Sequence, residues 1–284
     1  MRLYTLESNG REIVAAEGEA GRLYQLKEVR DMNELICTWD EKKESIGKLS
    51  EDTGWEALSP DAYHIVAPIP VPMQDIVCLG VNYREHIEET TEVLDFTKKE
   101  ATVYFSKRVN RCNEPGGKIP LYDFVDSLDY EAELGVILKR DAYQVKASDA
   151  EKYIFGYTII NDVSARNIQL KHQQWYLGKS LNGYTPMGPC IVTADEIGDA
   201  HNLNIACYVN EEKRQDSNTK YMITSVEHAI EELTQGMTLK AGTVIATGTP
   251  GGVAMGMKPP VFLKSGDVVR CEIEKIGSLK NVVG

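Results

Sequence analysis

The sequence predicts a β-rich α+β protein, with a small N-terminal α+β domain over residues 1–72 and a larger domain over residues 73–284. Three observations carry this. Segments of strand composition outnumber those with helical periodicity, and the two kinds are unevenly interleaved, which argues against a doubly wound sheet. No Gly-x-Gly-x-x-Gly follows a strand, so a dinucleotide fold and a nicotinamide or flavin cofactor are not expected. Ala67-Pro68-Ile69-Pro70-Val71-Pro72 reads as a stiff extended connector, because each proline fixes its φ and restricts its predecessor. The domain boundary falls there.

The elements follow in order. Arg2 to Ala15 reads as a hairpin around Ser8-Asn9-Gly10, a turn whose Asn-Gly pair tolerates positive φ. Arg22 to Trp55 mixes short apolar runs with charges and predicts no definite element. Ile76 to Gly80 is a short buried strand, and Asn82 to Glu89 a loop running into a short helix. Val103 to Lys107, Asp129 to Leu138 and Gly156 to Asp162 are strands, the last followed by a helix start near Arg166. Cys190 to Thr193, Asn204 to Val209, Thr243 to Thr247 and Val268 to Ile273 are further strands, with a turn at Lys264-Ser265-Gly266-Asp267. One longer helix is expected, with Thr224 and Glu227 as a capping box, Val226, Ile230 and Leu233 as its apolar stripe and Gly236 at its end.

Bulk properties narrow the function. Hydrophobic residues at 42% and charged residues at 26% are those of an ordinary soluble domain. The net charge of −12 argues against nucleic acid, since phosphate binding needs a basic surface. It does not exclude an anionic substrate, because a bound cation can dominate a local site. The six cysteines lack Cys-x-x-Cys spacing, which predicts free thiols in a reducing cytoplasm. The N-terminus lacks a signal-peptide core, and no run approaches the ~18 apolar residues of a membrane span.

The chemistry concentrates in the Asp129–Leu138 strand. Side chains alternate across a strand, so Tyr130, Ala132, Leu134, Val136 and Leu138 share an apolar face while Glu131 and Glu133 project together from the other, their Cα atoms roughly 7 Å apart. Two carboxylates that close repel unless a cation lies between them. Asp162, at the end of the next buried strand, would supply a third oxygen donor. Without nearby Cys or clustered His, such a site suits Mg²⁺, with Mn²⁺ and Ca²⁺ as alternatives, whereas zinc recruits His or Cys. A solvated acidic strand face is the competing explanation of the two glutamates. His86 and Glu89, three apart, would share a helical face, with Glu88 as the rival if the helix is rotated. A charged surface helix among Glu85, Glu88 and Glu92 is the alternative there. The Asn82–Glu89 segment is expected to act as a mobile lid, with Gly80 just before it and the highly polar stretch from Arg84 to Lys99 following. Thr247-Gly248-Thr249-Pro250-Gly251-Gly252 lacks the Gly-Lys-Ser/Thr ending of a phosphate loop.

Several motifs, in order, carry a family resemblance. Leu128-Asp129-Tyr130-Glu131-Ala132-Glu133-Leu134, Asn161-Asp162-Val163-Ser164-Ala165-Arg166, Gly178-Lys179-Ser180-Leu181, Met187-Gly188-Pro189 and Ala246-Thr247-Gly248-Thr249-Pro250-Gly251-Gly252 closely resemble the fumarylacetoacetate hydrolase family, from about Ile76 to Val283. The resemblance implies a rolled, mixed, barrel-like sheet with the active site at its mouth. It implies a divalent metal on Glu131, Glu133 and Asp162, and a His86–Glu89 dyad that activates water or moves a proton. It implies Lys179 directed at substrate oxygens, Gln169, Thr249 and Tyr83 as substrate contacts, and Arg166 as a supporting cation. The implied substrate is a small anionic 2-oxo or dicarbonyl acid, and the implied assembly a homodimer. Hydrolysis of an acylpyruvate C–C bond through a metal-stabilised enolate is the leading expectation. Oxaloacetate decarboxylation, isomerisation or dehydration of a related acid, and a metal-binding homologue without activity are the alternatives. The chain departs from the family pattern at Asn167, Asn182 and Tyr184-Thr185, which bear on pocket shape and touch no expected metal ligand.

Overall fold

A computed structural model describes residues 1–47, 49–50, 54–91 and 101–284. The expected lid Asn82–Glu89 lies within these residues, while residues 92–100 of the polar stretch after it, Glu92 among them, lie outside the described residues.

The fold is strand-rich α+β, built on one large mixed sheet. Its strands run in the order Leu23–Gln25, Arg11–Glu17, Arg2–Ser8, Met187–Thr193, Ile154–Asn161, Ala132–Leu138, Val244–Ala246, Ile76–Gly80 and Val103–Lys107, with His64–Ile65 beside Arg2–Ser8. Val244–Ala246 and Ile76–Gly80 pair in parallel, while the other neighbours are antiparallel. The order has two free ends among the described residues, so the sheet is open and not a closed barrel. A second sheet runs Glu212–Asn218, Asn204–Val209, Val268–Ile273, Gly277–Val283 and Lys118–Ile119.

Two apolar clusters cover the two faces of the large sheet. Leu134, Val136 and Leu138 pack in the cluster that holds Ile205, Cys207, Val269, Cys271 and Ile273 of the second sheet. Ile137, Phe155 and Ile191 pack instead with Leu35, Ile36 and Trp39 of the helices Met32–Cys37 and Trp39–Ile46. The central strands are therefore buried along their whole length, which explains their continuous apolar runs. The N-terminal segment joins this sheet directly, through Arg2–Ser8 against Met187–Thr193. The proline run is fastened to the sheet as well: Thr5 Oγ1 donates to the Pro68 carbonyl at 2.7 Å.

Three expectations are refined. The strand expected over Asp129–Leu138 is broken into Leu128–Asp129 and Ala132–Leu138. At the break, Glu131 N–H donates to Asn161 Oδ1 at 3.0 Å and Ala132 N–H to Gln215 Oε1 at 3.0 Å, so side chains take the bonds a ladder would have used. The helix with the capping box starts one residue later than expected, as Val226–Thr234 with Ser225 as its N-cap. Glu227 is turned toward His201. Among the described residues, the region from Arg22 to Trp55 contains the helices Met32–Cys37 and Trp39–Ile46, each too short to show a clear apolar period. Among the described residues no helix is long and apolar enough to cross a membrane, and the six cysteines are free thiols.

Candidate metal centre and active site

Glu131, Glu133 and Asp162 come together, each offering a carboxylate oxygen within 4.8 Å of the others, and all three are buried. Topology does this. Glu133 lies opposite Ile160 in the antiparallel pair Ala132–Leu138 and Ile154–Asn161, and Asp162 N–H donates to the Glu131 carbonyl at 2.8 Å just beyond the last rung. The buried face with three like charges is no solvated acidic strand.

Fixed cations and donors surround the cluster. Lys179 Nζ donates to Glu131 Oε2 and to Asp162 Oδ2, each at 2.7 Å. Arg166 gives Nη2 to Glu131 Oε1 at 2.6 Å, Nε to Asp129 Oδ2 at 2.8 Å and Nη1 to Gln169 Oε1 at 3.0 Å. Lys107 donates to Asp162 Oδ1. Burial alone would oppose ionisation of Glu131, but Lys179 and Arg166 outweigh it and hold its carboxyl well below the usual carboxylate range. Glu133 is the opposite case. Burial, then the charges of Asp162 and Glu131, push it well above that range, and its fixed donor is the Gly248 N–H at 2.8 Å. A group of buried carboxylates of which one is left under-compensated fits a hard divalent cation, and oxygen donors without thiolate or imidazole fit Mg²⁺ or Mn²⁺ chemistry.

The His–Glu pair lies on the helix Arg84–Thr90. His86 Nδ1 and Glu89 Oε1 are 2.8 Å apart, and Glu89 Oε2 accepts from the Gly252 N–H at 2.7 Å. Gly252 has φ +102°, and a Cβ there would lie 1.9 Å from the Arg214 carbonyl oxygen, so the turn that receives Glu89 requires glycine. Because a carboxylate only accepts, Nδ1 carries the proton and Nε2 is left as the basic atom. Glu88 is not the partner. Asn82 anchors the helix start, with Oδ1 accepting from Thr224 N–H at 2.8 Å and Nδ2 donating to the Thr224 and Thr247 carbonyls at 2.9 Å each.

One cleft brings several of these groups to a common space. His86, Glu131, Glu133, Arg166, Gln169, Lys179 and Thr249 line it. Gln169 spends its carbonyl oxygen on Arg166, and its amide nitrogen makes no hydrogen bond among the described residues, so it can face a ligand in the cleft. The Thr249 hydroxyl is engaged inside the fold, donating to the Ala132 carbonyl at 3.0 Å and accepting from Gln215 Nε2 at 2.7 Å. Tyr83 is not among the lining residues: it is fully buried, and its hydroxyl has no hydrogen-bond partner among the described residues.

Sequence reasoning did not find Lys107, Asp129, Asn161 or Gln215, which hold the site from behind, nor Phe105, Trp175 and Met255, which form apolar walls of the cleft. Asp129 and Asn161, each inside one of the quoted motifs, carried the local signal, and Asp129 is the more connected of the two. Its carboxylate accepts from Arg166 and from the Ala254 and Met255 N–H groups, tying the strand to the turn before the second sheet.

The family model described as "Fumarylacetoacetate (FAA) hydrolase C-terminal" matches residues 75–284. The chain is 40% identical over 238 residues to oxaloacetate tautomerase YisK of Bacillus subtilis (strain 168), covering 84% of this chain and 78% of that protein. It is 39% identical over 239 residues to the mitochondrial oxaloacetate tautomerase fahd2 of Xenopus laevis, covering 83% and 73%. The structure of a fumarylacetoacetate hydrolase from psychrophilic Exiguobacterium antarcticum superposes with a TM-score of 0.86 at 36% identity, covering 100% of this chain and 99% of that one.

Proposed function

The chain belongs to the fumarylacetoacetate hydrolase family, and from that premise we propose that it is a divalent-metal-dependent enzyme that cleaves a C–C bond in a small dicarbonyl acid of the acylpyruvate type, by way of an enolate. The observation that carries this reading is that His86, held by Glu89, lines one cleft with Glu131 and Glu133, which are grouped with Asp162 as three buried carboxylates.

Glu131, Glu133 and Asp162 would hold the ion, Mg²⁺ or Mn²⁺. When bound, the ion would draw charge from the keto oxygen of a 2-oxo acid and favour its enolate. The chain's own groups do the rest. Lys179 brings positive charge to the oxygens of the substrate, where it stabilises developing negative charge. The Gln169 amide orients the acid, and Arg166 keeps Glu131 ionised and in place. His86 Nε2 takes a proton from the attacking water while Glu89, held by the Gly252 N–H, fixes the ring and offsets the charge it acquires. Phe105, Trp175 and Met255 keep bulk water from the reacting bond.

A second reading is favoured by the two relatives named as oxaloacetate tautomerases. In keto–enol exchange His86 Nε2 would take a proton from the carbon between the two carbonyl groups of oxaloacetate instead of from water, and the resulting enolate would be reprotonated on oxygen, with no C–C bond broken. The two separate on products. Acylpyruvates and oxaloacetate, each incubated with Mg²⁺ and with Mn²⁺, release pyruvate if a C–C bond is cleaved; tautomerisation changes the enol absorbance alone. No metal-dependent change in either substrate would overturn both readings. The family resemblance also supports a homodimer, which sedimentation equilibrium at the mass of one chain would remove, and the scattered free cysteines support a cytoplasmic location.

A further inference from the structure

Lys107 is fully buried, yet the chemistry proposed above gives it no task. It ends the edge strand Val103–Lys107, and its ammonium donates to Asp162 Oδ1, to the Tyr184 carbonyl at 2.8 Å and to the Val163 carbonyl at 3.4 Å. The other oxygen of the same carboxylate, Oδ2, accepts from Lys179 at 2.7 Å. Two lysines thus take opposite oxygens of one aspartate, in different settings. Lys179 bridges Asp162 to Glu131, so Oδ2 is the oxygen on the Glu131 side. Lys107 touches neither glutamate. Its remaining partners are backbone carbonyls, which fix where the ammonium stands.

The terminal torsion of an aspartate is soft and two-fold, so nothing in the side chain itself decides which oxygen faces which way. A donor fixed by the backbone on one oxygen does decide it. We propose that Lys107 is a positioning residue for metal binding: by pinning Asp162 Oδ1 it presents Oδ2 toward Glu131 and Glu133, where a divalent cation would be held. This inference rests on the metal-dependent reading above. Removing the hydrogen-bond partner of a ligating group typically weakens metal binding by about 10–100-fold.

Calorimetric titration of Mn²⁺ into the full chain tests it, using the wild type, Lys107→Met, Asp162→Asn and the double variant. The expected result is one Mn²⁺ per wild-type chain, binding roughly 10–100-fold weaker in Lys107→Met with the stoichiometry kept, and no further loss when Lys107→Met is added to Asp162→Asn. That non-additivity distinguishes action through Asp162 from general damage. Should Lys107→Met fail to fold, Lys107→Gln keeps an N–H donor without the charge and is expected to bind Mn²⁺ more weakly than the wild type. Unchanged affinity in the folded Lys107 variant, or losses that add fully in the double variant, would overturn the inference while leaving the metal reading intact. A wild type that binds no Mn²⁺ would instead remove the metal reading, and this inference with it.

Discussion

His86 Nδ1 and Glu89 Oε1 stand 2.8 Å apart on one face of a short helix, and the glutamate is itself held by the Gly252 N–H. The imidazole therefore has a fixed ring plane and a fixed tautomer, with Nε2 left to the cleft. Such an arrangement suits a general base.

His86→Ala should lower acylpyruvate hydrolysis by roughly 10²–10⁴, the usual worth of general-base assistance. Mn²⁺ affinity should not change. Loss of CO₂ from oxaloacetate needs no attacking water, so a decarboxylase activity would survive the substitution. Steady-state rates on the two substrates, with calorimetry as the control, check this. Intact hydrolysis in His86→Ala would remove the dyad from the mechanism.

The helix Arg84–Thr90 is secured at two points, Asn82 at its start and Glu89 in the Gly252 turn, as expected of a lid that closes over substrate. Limited proteolysis around residues 82–91 should be slower with Mn²⁺ and oxalate than without them. Gly252→Ala should speed it, because a Cβ has no room beside the Arg214 carbonyl and the turn must shift away from Glu89. Equal cleavage in every state would show that the helix does not open.

His201 and Glu227 form a pair at 2.8 Å outside the cleft and give a pH signature. The hydrogen bond to His201 is the main cause that lowers Glu227 from its ordinary 4.5 to about 2, and the bond to Glu227 raises His201 above its ordinary 6.5. The lowered carboxylate contributes stability above pH 4.5 that is lost as pH falls toward 2; the raised imidazole contributes stability below pH 6.5 that is lost at higher pH. His201→Ala should therefore lower Tm most between about pH 4.5 and 6.5. Because His201 is partly exposed, the effect should stay within about 1 kcal/mol. Thermal melts of both proteins at pH 3, 5.5 and 9 measure it, and a difference that is flat with pH would contradict the pairing.

Much of the site was legible because its residues sit in contiguous motifs. Alternation brought Glu131 and Glu133 to one side, and helical spacing brought His86 to Glu89. The departures came from long-range contacts. Gln215 and Asn161 break the Asp129–Leu138 strand, from positions 83 and 30 residues away from their partners. Lys107 looks like any strand-end lysine until the sheet carries it to Asp162, 55 residues on. The polar strand Glu212–Asn218 has little apolar alternation to betray it, being an edge of the second sheet. Tyr83, expected against substrate, lies instead in the core, where neighbouring residues in sequence do not dictate its direction.

The central claim is that a divalent ion binds among Glu131, Glu133 and Asp162, and Glu133 tests it most directly. Glu131→Ala would take one of two carboxylate partners from each of two buried cations, leaving Arg166 with Asp129 and Lys179 with Asp162, and breaking such buried pairs costs about 3–5 kcal/mol, so lost binding there would be confounded with lost folding. Glu133 has no such cation of its own and is burdened by its two neighbours. Glu133→Gln should therefore leave the Tm of the metal-free protein unchanged or higher, while calorimetric Mn²⁺ affinity falls by more than roughly 100-fold, beyond the cost of losing an outer partner. Unchanged Mn²⁺ affinity in Glu133→Gln would contradict the account.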